Sequence, residues 1–360
     1  MMQWNWMTYT RILNFDRCFC SPAALLFLFT YLSLNCCAQT KWVPANRACG
    51  ASLRGLSVVD DSTIWASGSE GTWLRSCNGG KLWHTGTIPG CSKLDFRDVH
   101  ALDCDRAWVM SAGDTCKIYY TSDAGQSWKL QYINYEPGIF FDGFAFWDQK
   151  NALAYSDPID GRFYIIETTD GSTWHQVDES ILPRAIEGEA GFAASGTGIC
   201  TVGDEAVWIA TGGGARARVL HSTDKGLTWT TYDSPLMSND AAGIFSIIFT
   251  TPTNGTIVGG SYLDSTNNTA NCATTIDGGV NWKLITEQQP RGYRSCVTAS
   301  DDGKLLLTVG RTGSEWSRDN GNTWEPIGHK GYFACAIGSR YAWAVGRHGK
   351  LGKLDLTQLK

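Results

Sequence analysis

Six times along this chain of 360 residues a short turn motif ends on tryptophan: SCNGGKLW at Trp83, TSDAGQSW at Trp128, TTDGSTW at Trp174, STDKGLTW at Trp229, TIDGGVNW at Trp282 and SRDNGNTW at Trp324. The tryptophans follow one another at intervals of 42 to 55 residues. A period of that size marks a propeller or a solenoid, in which each unit is one supersecondary module that cannot bury its faces alone. A second shared segment precedes each turn: TIWASG around Trp65, RAWVMS around Trp108, NALAYS around Leu153, AVWIATG around Trp208, GTIVGG around Ile257 and LLLTVG around Leu307. A seventh copy, YAWAVG around Trp343, has no tryptophan turn after it. With 40 Gly, 16 Trp and no long 3.6-residue periodicity, the chain reads as all-β, built from many short strands and tight turns.

The turn motif has its own chemistry. Asp123, Asp224, Asp277 or Asp319 can fold its carboxylate onto amides of the turn, and Gly125, Gly226, Gly279 or Gly321 can take the positive φ of a tight hairpin. The tryptophan is then expected between neighbouring modules. Asn78 replaces Asp in the first copy, and the third is one residue shorter between Asp170 and Trp174; both changes keep the turn hydrogen bonds possible. The motif resembles the Asp box, Ser/Thr-x-Asp-x-Gly-x-Thr-Trp, of sialidases, sortilin-type receptors and the photosystem II stability/assembly factor family. Seven inner-strand motifs imply a seven-bladed β-propeller, similar to the assembly-factor propellers, whereas sialidase rings have six blades. The acidic residues of the boxes read as structural.

Seven motifs but six boxes leave the last blade one strand short after Lys350–Leu354. Thr40-Lys41-Trp42-Val43-Pro44 matches the Thr323-Trp324-Glu325-Pro326 that closes the sixth module. The N-terminal strand is therefore expected to complete blade seven and remove a sheet edge. Gln358 to Lys360 are expected to lie past the last strand, where deletion does little.

Residues 1–38 read as a signal peptide and residues 39–360 as the propeller. Arg11 and Arg17 precede a 12-residue apolar run, Ala23 to Leu34, which is too short for a membrane span, and small residues at Cys36 and Ala38 suit cleavage before Gln39. The protein is thus expected to be exported, periplasmic or extracellular, with a lipid anchor at Cys36 or Cys37 as the alternative. Nine cysteines remain after Ala38; Cys104 and Cys116 flank one hairpin and are candidates to pair, while Cys200, Cys296 and Cys335 fall in apolar strands. A net charge of −5 with 18% charged residues offers no basic stripe for nucleic acid. His84, His100, His175, His221, His329 and His348 are scattered, with no metal-ligand spacing, so neither metal nor cofactor is expected.

Aligning positions eleven residues before each shared Trp or its equivalent places Arg54, Arg97, Asp142, Ser195–Thr197, Ser246, Arg294–Cys296 and Tyr332 around the funnel. Blades six, seven, one and two are neighbours in a closed ring. Arg294, Arg54 and Arg97 can therefore converge, facing Asp142, Glu187 and Glu189 on the acidic side. Converging arginines hold a carboxylate or other anion, and the same residues can instead pair among themselves. The Phe/Tyr-Arg-Ile-Pro motif of sialidases is absent, and no catalytic residue can be assigned. The expected partner is a protein or a glycan at the funnel: the leading reading is a binding or assembly scaffold, the alternative a sialidase-like glycoside hydrolase or glycan-binding propeller. The segments Phe141–Asp148 and Gly188–Thr197 are the least like a generic repeat. Mass spectrometry of the mature protein is expected to find Gln39 first; a lipidated Cys36 or Cys37 there would replace export with anchoring.

Overall fold

The computed structural model describes residues 41–113 and 115–359; the leader, with Cys36, Cys37 and Ala38, lies outside the described residues. Among these, 28 short strands form seven four-stranded antiparallel sheets. Their inner strands are Leu53–Val58, Asp95–Ala101, Phe141–Phe146, Ile199–Val202, Ala242–Phe249, Cys296–Ala299 and Ala334–Ile337, one to a blade. The chain is an all-β seven-bladed propeller. Among the described residues no helix is long and apolar enough to cross a membrane.

Each blade is antiparallel, so the start of its inner strand and the turn between its second and third strands share one end of the ring. We call that end the mouth. The turn joining the third and fourth strands, which carries the Asp box, lies at the opposite end.

The second strand of each blade is its buried centre. Trp65, Trp108, Leu153, Trp208, Ile257, Leu307 and Trp343 all sit there, each no more than 3% exposed. The boxes work as their chemistry demands. The Thr121 hydroxyl accepts from Gly125 N at 2.9 Å, and Asp123 Oδ1 accepts from Ser127 N at 2.8 Å. Asn78 accepts the equivalent bond from Leu82 N at 2.9 Å, and the shortened box directs Ser172 N and Thr173 N onto Asp170. These bonds hold the Asp123 and Asp170 carboxyls below the usual carboxylate range.

At Gly80, with φ +78°, an added Cβ would stand 2.0 Å from the Trp343 ring of the preceding blade, so the box glycine is also an interblade contact. The box tryptophans pack less deeply than expected. Trp174 and Trp324 are buried, but Trp83, Trp128, Trp229 and Trp282 are half-buried.

Val43–Pro44 is the outer strand of blade seven, with Val43 opposite Lys353 and Pro44 opposite Gly352. Trp42 drops into the core there, 3% exposed, donating from Nε1 to Ser314 Oγ at 2.8 Å and packing 5.4 Å from the Tyr332 ring. The C-terminal residues correct an expectation: Leu359 is buried in the same core, and its carbonyl accepts from Arg318 at 3.0 Å.

The cysteines also differ from expectation. Cys104 pairs with Cys77, not Cys116, and so links blades one and two; Cys116 is buried and reduced. Cys200, Cys296 and Cys335 are buried, as their apolar strands implied.

The channel is closed. Residues 191–198, leading into blade four, form a plug whose contacts reach inner strands around the ring. Arg97 of blade two donates to Ala193 O and Arg54 of blade one to Ala194 O. Ser195 Oγ donates to Ser295 O beside blade six, and Thr197 Oγ1 lies 2.6 Å from Ser246 Oγ of blade five. Gly196, at φ +74°, lets the plug pass over the Asp98 carboxyl, where a Cβ would come within 2.2 Å. Asp98 is itself buried. Its oxygens accept from Val99 N at 2.8 Å and Phe144 N at 3.0 Å, yet burial pushes its pKa up to about 8.

Two outcomes are expected. Deleting Lys41–Asn46 should uncover a sheet edge and the Trp42 slot, costing about 3 to 5 kcal/mol, with aggregation or a much lower Tm; an unchanged monomeric melt would disprove closure by this strand. The second follows from Asp98. A carboxyl whose folded pKa is raised favours the fold at acid pH, and that contribution is lost as pH climbs from the unfolded value, about 4, through the folded one, about 8. Thermal melts from pH 6.5 to 8.5 should fall with pH, and Asp98→Asn should flatten the slope whatever it does to the absolute Tm; equal slopes would contradict this.

Candidate functional site

The mouth gathers cations over aromatic rings. Arg54 stands at the start of the inner strand of blade one, half-buried, its Cζ 4.4 Å above the Phe333 ring of blade seven. Arg97, at the equivalent place in blade two, donates from Nε to Asp95 at 2.9 Å and lies 5.6 Å over Phe140. Burial, and then the positive charge of Arg97, lower the pKa of Arg54, with Arg311 adding to the same repulsion. Two of the three arginines expected to converge therefore do.

The third does not. Arg294 is fully buried in a two-pronged pair with Glu315 of its own blade, Nε to Oε2 at 2.7 Å and Nη2 to Oε1 at 2.6 Å. Its Nη1 is taken by Tyr293 O and Thr312. On the opposite side Glu189 is likewise committed, accepting from Arg218 Nε at 2.9 Å and from Thr211 Oγ1 at 2.6 Å. Breaking either buried pair would leave an uncompensated charge, so both arginine and glutamate are fixed parts of their blades. Glu187 is exposed beside this segment.

Asp142 lies beneath the plug rather than across an open funnel. A Cβ on Gly191 would meet its Oδ2 at 2.2 Å, and the neighbouring Asp157 accepts from Gly191 N at 2.7 Å. Burial, then the charge of Asp157, hold the Asp142 carboxyl well above the usual range, against the pull of Arg97; Asp157 itself is pushed up to about 6, chiefly by burial. Neither Asp142 oxygen has a hydrogen-bond partner among the described residues, so Asp157 alone of the two carboxyls is bonded to the plug, through Gly191 N.

Alignment of inner strands missed the rest of the cationic set, which comes from turns after second strands. Arg311 and Arg347 directly follow the second strands that end blades six and seven in TVG and AVG, so the repeated VGR was the available signal. With Gly331, Tyr332, Phe333 and Lys350 they line a cavity of about 380 Å³ in which no carboxylate takes part. Arg347 lies 5.7 Å over Phe333, sharing that ring with Arg54, and Arg311 lies 5.9 Å over Tyr293. Lys350 Nζ sits 4.4 Å over Tyr332 and donates to Gly331 O, its pKa lowered by burial and by Lys330. Beside the cavity Phe192 of the plug stacks on Phe245 at 3.9 Å, and Tyr293 meets Phe245 edge-on. Guanidinium groups over rings, partly desolvated and short of counter-charge, bind anions and planar groups well. The residues lining this cavity include no carboxyl and no histidine.

No protein-family model matches the chain, nor does any curated protein. Solved structures do match its shape. A structure of YCF48 bound to D1 peptide superposes with a TM-score of 0.64 at 15% identity, covering 90% of this chain and 99% of that one. YCF48 from Cyanidioschyzon merolae gives 0.62 at 17% identity, covering 88% and 99%. The resemblance to assembly-factor propellers, expected from the Asp boxes and the count of seven, is present in the fold.

Proposed function

We propose that this chain is a non-enzymatic binding or assembly propeller that docks an anionic protein segment on its cationic, aromatic mouth. One observation carries the reading: Arg311, Arg347 and Lys350 line a cavity whose lining contains no carboxylate, and Arg54 shares its Phe333 ring, with Arg97, paired to Asp95, beyond it at the same end of the ring. An extended peptide suits this face better than a sugar in a deep funnel, because the plug at residues 191–198 fills the axis and leaves a shallow basin. The solved YCF48 structure with a bound D1 peptide supports the view that such a ring serves as a peptide platform. The partner here is identified only by its chemistry, a carboxylate-bearing segment, and photosynthesis does not follow. Export of the mature propeller rests on the leader, and the Cys77–Cys104 disulfide supports an oxidising compartment.

The hydrolase alternative loses its main argument. Of its three arginines, Arg294 is neutralised inside blade six, and Asp142 lies beneath the plug rather than facing a substrate space.

Fluorescence anisotropy with a labelled Asp/Glu-rich peptide should show binding that weakens with salt, since exposed charge is screened within about 8 Å at 0.15 M. Arg347→Ala and Arg311→Ala should each weaken it by about tenfold, the loss of one charge-assisted contact. Absence of binding at low salt, or hydrolysis of a fluorogenic sialoside that Arg54→Ala abolishes, would overturn the reading.

A further inference from the structure

Cys116, Cys200 and Cys272 are buried thiols pushed up to about 12 by burial, the condition of inert structural cysteines. Cys77 and Cys104 are different on every count. Cys77 is exposed at the tip of the first Asp box, between Ser76 and Asn78, and Cys104 is half-buried in the turn joining the first two strands of blade two. Both therefore lie at the box end of the ring, away from the mouth.

A cation is aimed at this disulfide. Arg75 is mostly buried, 14% exposed, with its guanidinium 5.7 Å over the Trp65 ring. Its Nη1 donates to Cys104 O at 2.8 Å, lies 3.0 Å from Cys104 Sγ and 3.4 Å from Cys77 Sγ. The backbone bond and the ring fix the guanidinium in place. Asp105, the nearest carboxylate to it, is solvent-exposed and 4.0 Å away, so it neutralises the charge weakly. A held guanidinium beside a sulfur stabilises the thiolate there, and a stabilised thiolate is both the better leaving group and the mark of a labile disulfide rather than an inert one.

We infer that Cys77–Cys104 is an exchangeable disulfide, opened by an external dithiol that attacks exposed Cys77 Sγ while Arg75 holds the departing Cys104 thiolate. In the first step a thiolate of the dithiol forms a bond to Cys77 Sγ as the Cys77–Cys104 bond breaks, and the electron pair leaves on Cys104 Sγ. In the second, the remaining thiol of the dithiol loses its proton and attacks its partner sulfur in the mixed disulfide. Cys77 departs and takes up a proton. The dithiol ends as a disulfide and the protein as a dithiol, two electrons having passed between them. The attack falls on Cys77 because it is the more exposed sulfur and because the better leaving group, nearer Arg75, is Cys104. Opening frees the first box from blade two, whereas the outer strand at Val43–Pro44 still closes the ring, so the change is local to one corner of the box face.

The test uses the full mature chain with dithiothreitol as the dithiol, following disulfide opening by alkylation and mass spectrometry. Arg75→Gln should slow opening about threefold to tenfold, the effect of a poorer leaving thiolate. In the reduced protein, the pH midpoint for iodoacetamide labelling of Cys104 should lie below the ordinary thiol value of about 8.5 and rise in the variant. Arg75→Lys should restore much of both. Arg75→Met keeps a long stem against Trp65 without charge and should behave as Arg75→Gln; unreactive Cys116, Cys200 and Cys272 certify that each variant remains folded. Equal opening rates in the parent, Arg75→Gln and Arg75→Met, or a parental Cys104 midpoint at or above 8.5, would overturn the inference.

Discussion

Everything in this molecule depends on one two-residue strand pairing. A blade is a four-stranded sheet with two apolar faces, and it can bury them only against the blades on either side. An open row of such sheets would end on two uncovered faces. Val43 and Pro44 prevent this by pairing antiparallel opposite Lys353 and Gly352, with Ala45 N donating to Leu351 O, so that the first and last segments of the propeller share one sheet. Trp42 fixes the seam by filling a core that also contains Trp316, Tyr332, Leu351 and Leu359. On the other side of blade seven, Gly80 and Trp83 of blade one close onto the Trp343 ring, with Trp83 meeting it edge-on at 5.5 Å.

The ring was legible because its signals are local. A box needs a hydroxyl, a carboxylate or amide, a glycine and a tryptophan within eight residues, and Asn78 shows how the substituted copy keeps the same acceptor. Even the closing strand could be read, since Trp42 and Pro44 repeat the chemistry that closes blade six. What failed was depth. Trp282 stands at a box position yet remains half-buried beside Trp208, which is stacked on Phe249 at 3.9 Å. Leu359 looked like a tail residue and is a core residue; nothing near it in sequence reports a gap left between blades six and seven.

The site was less legible for a related reason. Register placed Arg54 and Arg97 correctly at one end, and it placed Arg294 nearby, but register does not say which carboxylate will reach an arginine first. Glu315, on the third strand of the same blade, was paired across the sheet with Thr308 and lay within reach of Arg294 before any ligand could. Glu189 met Arg218 in the same way. A buried guanidinium without a partner is too costly to keep for a ligand, so the arginines that the proposed docking reading can use are those on turns and strand starts, where water still shares the charge. Arg311 and Arg347 belong to that class.

The plug decides what remains. The plug covers polar groups of the inner strands: Ser246, Ser295 and the Asp98 carboxyl. Within the plug, Ser195 donates to Ser295 O and Thr197 meets the Ser246 hydroxyl, and Ala193 and Ala194 turn their carbonyls toward Arg97 and Arg54. Arg54 gives one donor to the plug, and Arg97 gives one to the plug and one to Asp95, which leaves each with further N–H groups of the five on a guanidinium. The plug and the cationic mouth are therefore one structure. The carbonyls orient the guanidinium groups over the rings of Phe333 and Phe140, and a rigid fork would lose little freedom on meeting an anion, which is how, in the proposed docking reading, a shallow surface with no deep pocket can present a preorganised face.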